Sequence, residues 1–130
     1  MDERSALVRL GEGGRFVFHR LFVVRQYKDS MGRLLLRAGK TDVNPTRIDV
    51  MFISTEHVNL PTTLEGLEIV DVTGTRDGDA ITQETGITIT DVRTFRVLSG
   101  VRRGHVIAGA VGYIEDTAEY WEPSGFTMDP

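Results

Sequence analysis

The 130-residue chain has no cysteine. That excludes disulfides, thiolate nucleophiles and Cys-based zinc sites. It also fits a reducing compartment, so a cytoplasmic location is expected. No apolar run approaches the roughly 18–20 residues of a membrane-spanning helix. The start, Met1-Asp2-Glu3-Arg4, is acidic, and no long apolar stretch follows it, which argues against a secretory leader. A net basic balance is missing too: the formal charge is −4. A general nucleic-acid binder needs a basic face to displace counterions, so neither nucleic acid nor membrane is an expected partner. Lysine is nearly absent, with 13 Arg against 2 Lys. Arginine holds carboxylates and phosphates by a planar fork, although a GC-rich genome gives the same bias.

What is present is glycine, 14 residues, set between runs rich in Val, Ile, Phe and Thr. That is the punctuation of an all-β domain. The length is that of one domain, 1–130, and no linker or composition shift divides it. Arg15 to Tyr27 is apolar at the centre of both alternating faces, which predicts a strand buried on both sides. Asp29-Ser30-Met31-Gly32 is a turn, so 15–27 and 33–38 form a hairpin. Further strands are expected over 47–54, 67–73, 80–98 (broken at Gly86) and 105–115. The Arg76-Asp77-Gly78-Asp79 stretch is read as a tight hairpin tip. Thr62 with Glu65 has capping-box spacing, enough for one helical turn. Residues 3–10 and 116–121 are the other two places for a short helix. A pattern shared by Gly66–Val72 and Gly86–Val92 reads as two similar strands or as coincidence.

The predicted architecture is therefore an antiparallel barrel, or alternatively a two-sheet sandwich, with at most one or two short helices. A long apolar strand left on an open edge invites aggregation, so self-association into a homo-oligomer is expected if the chain does not cover it.

Chemistry-bearing motifs are sparse. His19, His57 and His105 lack the spacing of a metal pair, and with Glu56 or Asp49 they would have to converge from separate strands. Glu56-His57 are neighbours, and neighbours on a strand point to opposite faces. Asp77-Gly78-Asp79 lacks the further oxygens of a calcium loop. Inward Asp71 and Asp91 would be costly unless paired with Arg93 or Arg96. Gly11–Gly14 and Gly100–Gly104 do not lead from a strand into a helix, as phosphate loops do. Neither metal nor cofactor is expected.

Two short pieces, Asp29-Ser30-Met31-Gly32 and the late glycines Gly100, Gly104, Gly109 and Gly112, resemble the small barrels of the allene oxide cyclase and dirigent type. The segments between do not match, and no catalytic residue is carried over.

Two functional readings remain, and the sequence does not decide whether this is an enzyme. One is a non-catalytic β module that binds or assembles through its surface and loops. Its ligand-binding candidates are Tyr120, Trp121, Arg102 and Arg103, since aromatics and arginine are enriched at interfaces. The other is a small barrel enzyme, a cyclase or isomerase that shapes a small apolar ligand in its lumen. Its pocket candidates are His19, His105 and Tyr113, the last two placed on one strand face.

Overall fold

A computed structural model describes residues 7–126. Nine strands form one antiparallel sheet: β1 (Val8–Arg9), β2 (Arg15–Lys28), β3 (Arg33–Ala38), β4 (Arg47–Ile53), β5 (His57–Asn59), β6 (Thr63–Asp71), β7 (Arg93–Ser99), β8 (Arg102–Ala108) and β9 (Ala110–Asp116). Their order is β1-β9-β4-β3-β2-β6-β7-β8-β5. The all-β expectation is met. The sheet is single, which corrects the sandwich, and its ladder ends at β1 and β5 rather than closing as a barrel.

It does curl. Phe52 on β4 and Phe95 on β7, four places apart in the order, meet with ring centroids 5.7 Å apart. The concave side holds the core, including Phe16, Phe22, Leu36, Val50, Phe52, Leu64, Ile69, Phe95, Val97 and Val106. Truncating a buried Phe in such a core costs about 3–5 kcal/mol.

The β2–β3 hairpin forms as predicted, with Lys28 opposite Arg33 across a 3₁₀ turn at Ser30–Gly32. Strand β2, however, is buried on one face only. Phe16 and Phe22 point inward, whereas Val17 and Leu21 are exposed on the other face. The expectation of burial on both sides is corrected.

Residues 76–85 form a helix, α1 (Arg76–Thr85), not a hairpin tip and return strand. Thr75 is its N-cap and accepts from the Gly78 N–H at 3.1 Å. Asp77 and Asp79 sit in the first turn, where the helix dipole favours negative charge. Gly86 closes the helix at φ +72°, the left-handed conformation that glycine adopts without strain. The buried Ile81 packs with Val72 and Ile107 on the convex side of the sheet. A return strand would have left these side chains in water.

Other local expectations also change. Thr62–Glu65 makes no helical turn, because β6 begins at Thr63. No helix forms over 116–121. Of the 3–10 segment, Val8–Arg9 is strand, and residues 3–6 lie outside the described residues. Gly66–Val72 lies almost wholly in β6, while Gly86–Val92 follows a helix, so the shared pattern marks no structural repeat. The expected strand 105–115 is broken at Gly109 into β8 and β9. No helix among the described residues is long and apolar enough to cross a membrane.

Candidate functional site

On the convex side of β3, β4 and β9 lies a strap of irregular chain, residues 117–126. Two buried arginines fasten it. Arg37 Nε donates to Asp49 Oδ1 at 2.7 Å and Arg37 Nη2 to Asp49 Oδ2 at 3.0 Å, a bidentate pair shut away from water. Arg37 Nη1 donates to the carbonyls of Tyr120 and Glu122. Arg47 pairs with Asp116 and donates to the carbonyls of Glu119 and Glu122, both at 2.8 Å, and of Pro123 at 3.1 Å. A strap without a ladder partner must satisfy its backbone elsewhere, and the two guanidinium forks do so. Phe126 then packs with Leu35, Met51 and Ile53.

The clasp sets the aromatic residues. Tyr120 lies between Arg25 and Arg37, whose guanidinium carbons stand 5.5 and 5.7 Å from its ring centre. A Cβ at Gly39 would come within 2.8 Å of the Tyr120 ring, so glycine is needed there for close approach. Trp121 next to it is 74% exposed. It borders a cleft of about 430 Å³ with Arg25, Gln26, Lys28, Leu35, Arg37 and Pro123. Across Tyr120 a second cleft of similar volume contains His19, Leu21, Val23, Lys40 and Val43.

The predicted site residues are thus dispersed. Tyr120 and Trp121 share the strap. Arg102 and Arg103 open strand β8 rather than lying in a turn, and Arg102 borders a different cleft with Leu21, Thr63, Glu65, Ser99 and Val101. His19 is exposed and borders the second strap cleft. Tyr113 faces the concave core, its ring 5.0 Å from both Phe16 and Phe18. His105 faces the opposite side, because the chain resets its alternation at Gly109: Val106, Ala108, Val111 and Tyr113 all belong to the core. The placement of His105 and Tyr113 on one face is therefore corrected, and His19, His105 and Tyr113 do not meet.

His105 instead stacks on His57, with ring centroids 5.1 Å apart and planes 12° from parallel. It is 5% exposed, and its Nε2 has no hydrogen-bond partner. Burial, then His57 and Arg96, push its pKa down, against the weaker opposite pull of Glu84 and Asp77. Among the described residues no group of three or more His, Asp or Glu is arranged to hold a metal.

Two acids, one beneath α1 and one in its first turn, are structural. Asp71 accepts from Arg93, Thr73 and the Gly13 N–H. Burial alone would raise its pKa, but those hydrogen bonds outweigh it and hold the carboxyl low. Arg93 is thus one of the partners the sequence named for it. Asp91 is exposed, not inward. Arg96 pairs with Asp77, whose carboxyl that hydrogen bond also holds low.

The strap arginines and Arg25 carried little signal in the sequence. Asp49, considered above only as a partner for the histidines, pairs instead with Arg37, and a charged residue inside an apolar strand calls for a buried partner without naming it. Comparison with protein-family models, with curated proteins and with solved structures finds no match.

Proposed function

We propose that this protein is a non-catalytic binding module and that its ligand surface is the cleft beside Trp121. The observation that carries this reading is the exposed indole, held on a clamped strap beside a cleft that Arg25 and Lys28 also border. The folded chain uses a large aromatic there to cover very little of itself, which is the pattern of an interface anchor. The ligand class that suits it is anionic with a flat or apolar part, such as an acidic peptide carrying a phenylalanine. Since the chain as a whole is negative, long-range attraction does not help, and recognition works at contact.

The enzyme reading has less support. Its lumen is occupied by Phe16, Phe18, Phe22, Phe52, Phe95 and Tyr113, and its three candidate residues lie apart. A barrel-like curl still belongs to the proposal as the rigid base of the site. It is supported by the bonds from the Glu56 N–H to Ile107 O and from the Gly109 N–H to Ile53 O, which carry contact past the breaks between β4 and β5 and between β8 and β9.

Trp121 is the one tryptophan, so intrinsic fluorescence reads this cleft. Titration with a short Glu/Phe peptide is expected to shift its emission, a Gln/Phe peptide to do so far less, and Arg25→Glu to abolish the response. Equal responses to both peptides, or none to either, would refute the proposal.

A further inference from the structure

Strand β5 ends the ladder and is held to it by β8 alone. It is three residues long, and it adds little to the core: Val58 is 41% exposed, and Asn59 is exposed too. Hydrogen bonds mark both ends of the segment. The Glu56 N–H donates to Ile107 O at 2.8 Å, and the Val24 N–H to Thr62 O at 2.9 Å. Between them, Leu60 packs against the core. The segment lies close on β8, where a Cβ at Gly104 would come within 2.3 Å of the Asn59 carbonyl oxygen. On its other side β8 is paired with β7 from Arg102 to Ala108, so it keeps a full ladder whether or not β5 is in place.

Two histidines join β5 to β8. By register, His105 stands opposite Asn59 on one side and Arg96 on the other, while His57 stands opposite Ile107. Residues two apart on a strand share a face, so the two imidazoles lie diagonally on the convex side. They stack there, 5.1 Å apart and 12° from parallel. His57 is half-buried, but His105 is 5% exposed and its Nε2 has no hydrogen-bond partner. The groups that face His105 come from three other elements: His57 from β5, Arg96 from β7, and Asp77 and Glu84 from α1. Arg103 lies two residues along its own strand, on the same face. Asp77 is already engaged by Arg96, at 2.9 and 2.6 Å, and Glu84 is exposed. A neutral imidazole suits this site. A charged one would lose its hydration beside a second imidazole and a guanidinium, with no acceptor for a proton on Nε2.

We propose that the His57–His105 stack is an acid-sensitive latch on β5: protonation of His105 frees residues 57–60 while the rest of the sheet stays folded. Freeing the segment hydrates both imidazoles and separates them, at the loss of one three-residue ladder and the Leu60 contact. Unfolding the whole sheet would hydrate His105 equally but at far greater loss, so the local opening comes first. The open form binds the proton more readily. The latch therefore holds above the ordinary histidine value of about 6.5 and yields as pH falls below it. Opening uncovers the outer edge of β8 over 105–107, a row of unpaired backbone donors and acceptors. The latch shares no residue with the strap cleft and does not depend on the binding reading there.

Hydrogen exchange on the full chain tests this. It is followed by mass spectrometry at about pH 7.5 and about pH 5, either side of the histidine range, and corrected for the intrinsic pH dependence of exchange. Protection across 57–60 is expected to fall by about tenfold or more, the equivalent of one pKa unit, while β2, β3 and β6 keep theirs. His105→Phe keeps a ring against His57 but cannot take a proton, so its β5 should stay protected at both pH values. His57→Phe keeps the stack and removes only the second imidazole, so the fall should remain and shrink. Protection of 57–60 that is equal at the two pH values overturns the proposal. So does a loss that His105→Phe leaves unchanged, or one shared equally by the whole sheet. If His105→Phe does not fold, NMR titration of the His105 ring in the wild type decides. A midpoint below about 6.5 that the β5 amides share supports the latch, whereas a higher midpoint, or β5 amides that do not follow it, overturns it.

Discussion

His105 lies face to face with His57 at 5.1 Å, on the edge where β5 is held to the sheet only by β8. Its Nε2 is buried without a partner. Protonation would place an imidazolium beside a second histidine and Arg96, with Asp77 already engaged by that arginine. The folded pKa is therefore lower than the unfolded one, about 6.5. The unfolded chain binds the proton more readily, so stability is complete above that value and declines as pH falls below it. Urea midpoints measured from pH 8 to 5 should stay level and then fall. His105→Gln should flatten the decline, and a decline unchanged in that variant would assign it elsewhere.

The Asp71 carboxyl gives a separate acid limb. Its folded pKa is held below the ordinary carboxylate range, so its contribution is present above that range and lost as pH falls through the folded value. At neutral pH, Asp71→Asn should cost about 1.5–3 kcal/mol, the range for hydrogen bonds to charged groups. Chemical denaturation at pH 7 checks this, and a neutral result would mean that Arg93 and Gly13 find other partners.

Removing one member of the strap clasp leaves the other charge buried. Arg37→Met should cost about 3–5 kcal/mol, because Asp49 loses its bidentate partner and keeps only Arg47, at 3.8 Å. The double change Arg37→Met with Asp49→Leu should recover part of that, because the pair is then removed together and the buried Arg47 keeps Asp116 as its partner. Trp121 fluorescence should change in both, since the Tyr120 and Glu122 carbonyls lose a donor. If the single change is as stable as wild type, the clasp is not what holds the strap.

Helix α1 contains a glycine that its packing requires. A Cβ on Gly78 would lie 2.1 Å from the Val72 carbonyl oxygen. Alanine normally stabilises a helix interior by about 1 kcal/mol over glycine. Here Gly78→Ala should destabilise by about 1–3 kcal/mol through overpacking. Gly86→Ala, a left-handed position with open space around it, should cost less, about 1 kcal/mol. Thermal unfolding of the two variants orders them, and the reverse order would refute the packing argument.

The sequence by itself determined most of the longer strands and the first hairpin. Alternation of Phe16, Phe18, Phe22 and Val24, or of Ile48, Val50 and Phe52, is a local property of extended backbone, and Asp29–Gly32 is a local turn. It did not determine which side of β2 would be covered, because Val17 and Leu21 read as apolar as Phe16 and Phe22. Only the tertiary curl chose the concave face. Nor did it distinguish the helix at Arg76–Thr85 from a hairpin, since Asp-Gly opens either. The exposed side of Val72 and Ile107 needed an amphipathic cover, and burial of Ile81 there decided it. The strap clasp was likewise out of reach of local pattern. Arg37 and Asp49 are 12 residues apart, and Arg37 and Tyr120 are 83 apart. Long-range partners of buried charges are fixed by the fold, and side-chain rhythm carries no record of them.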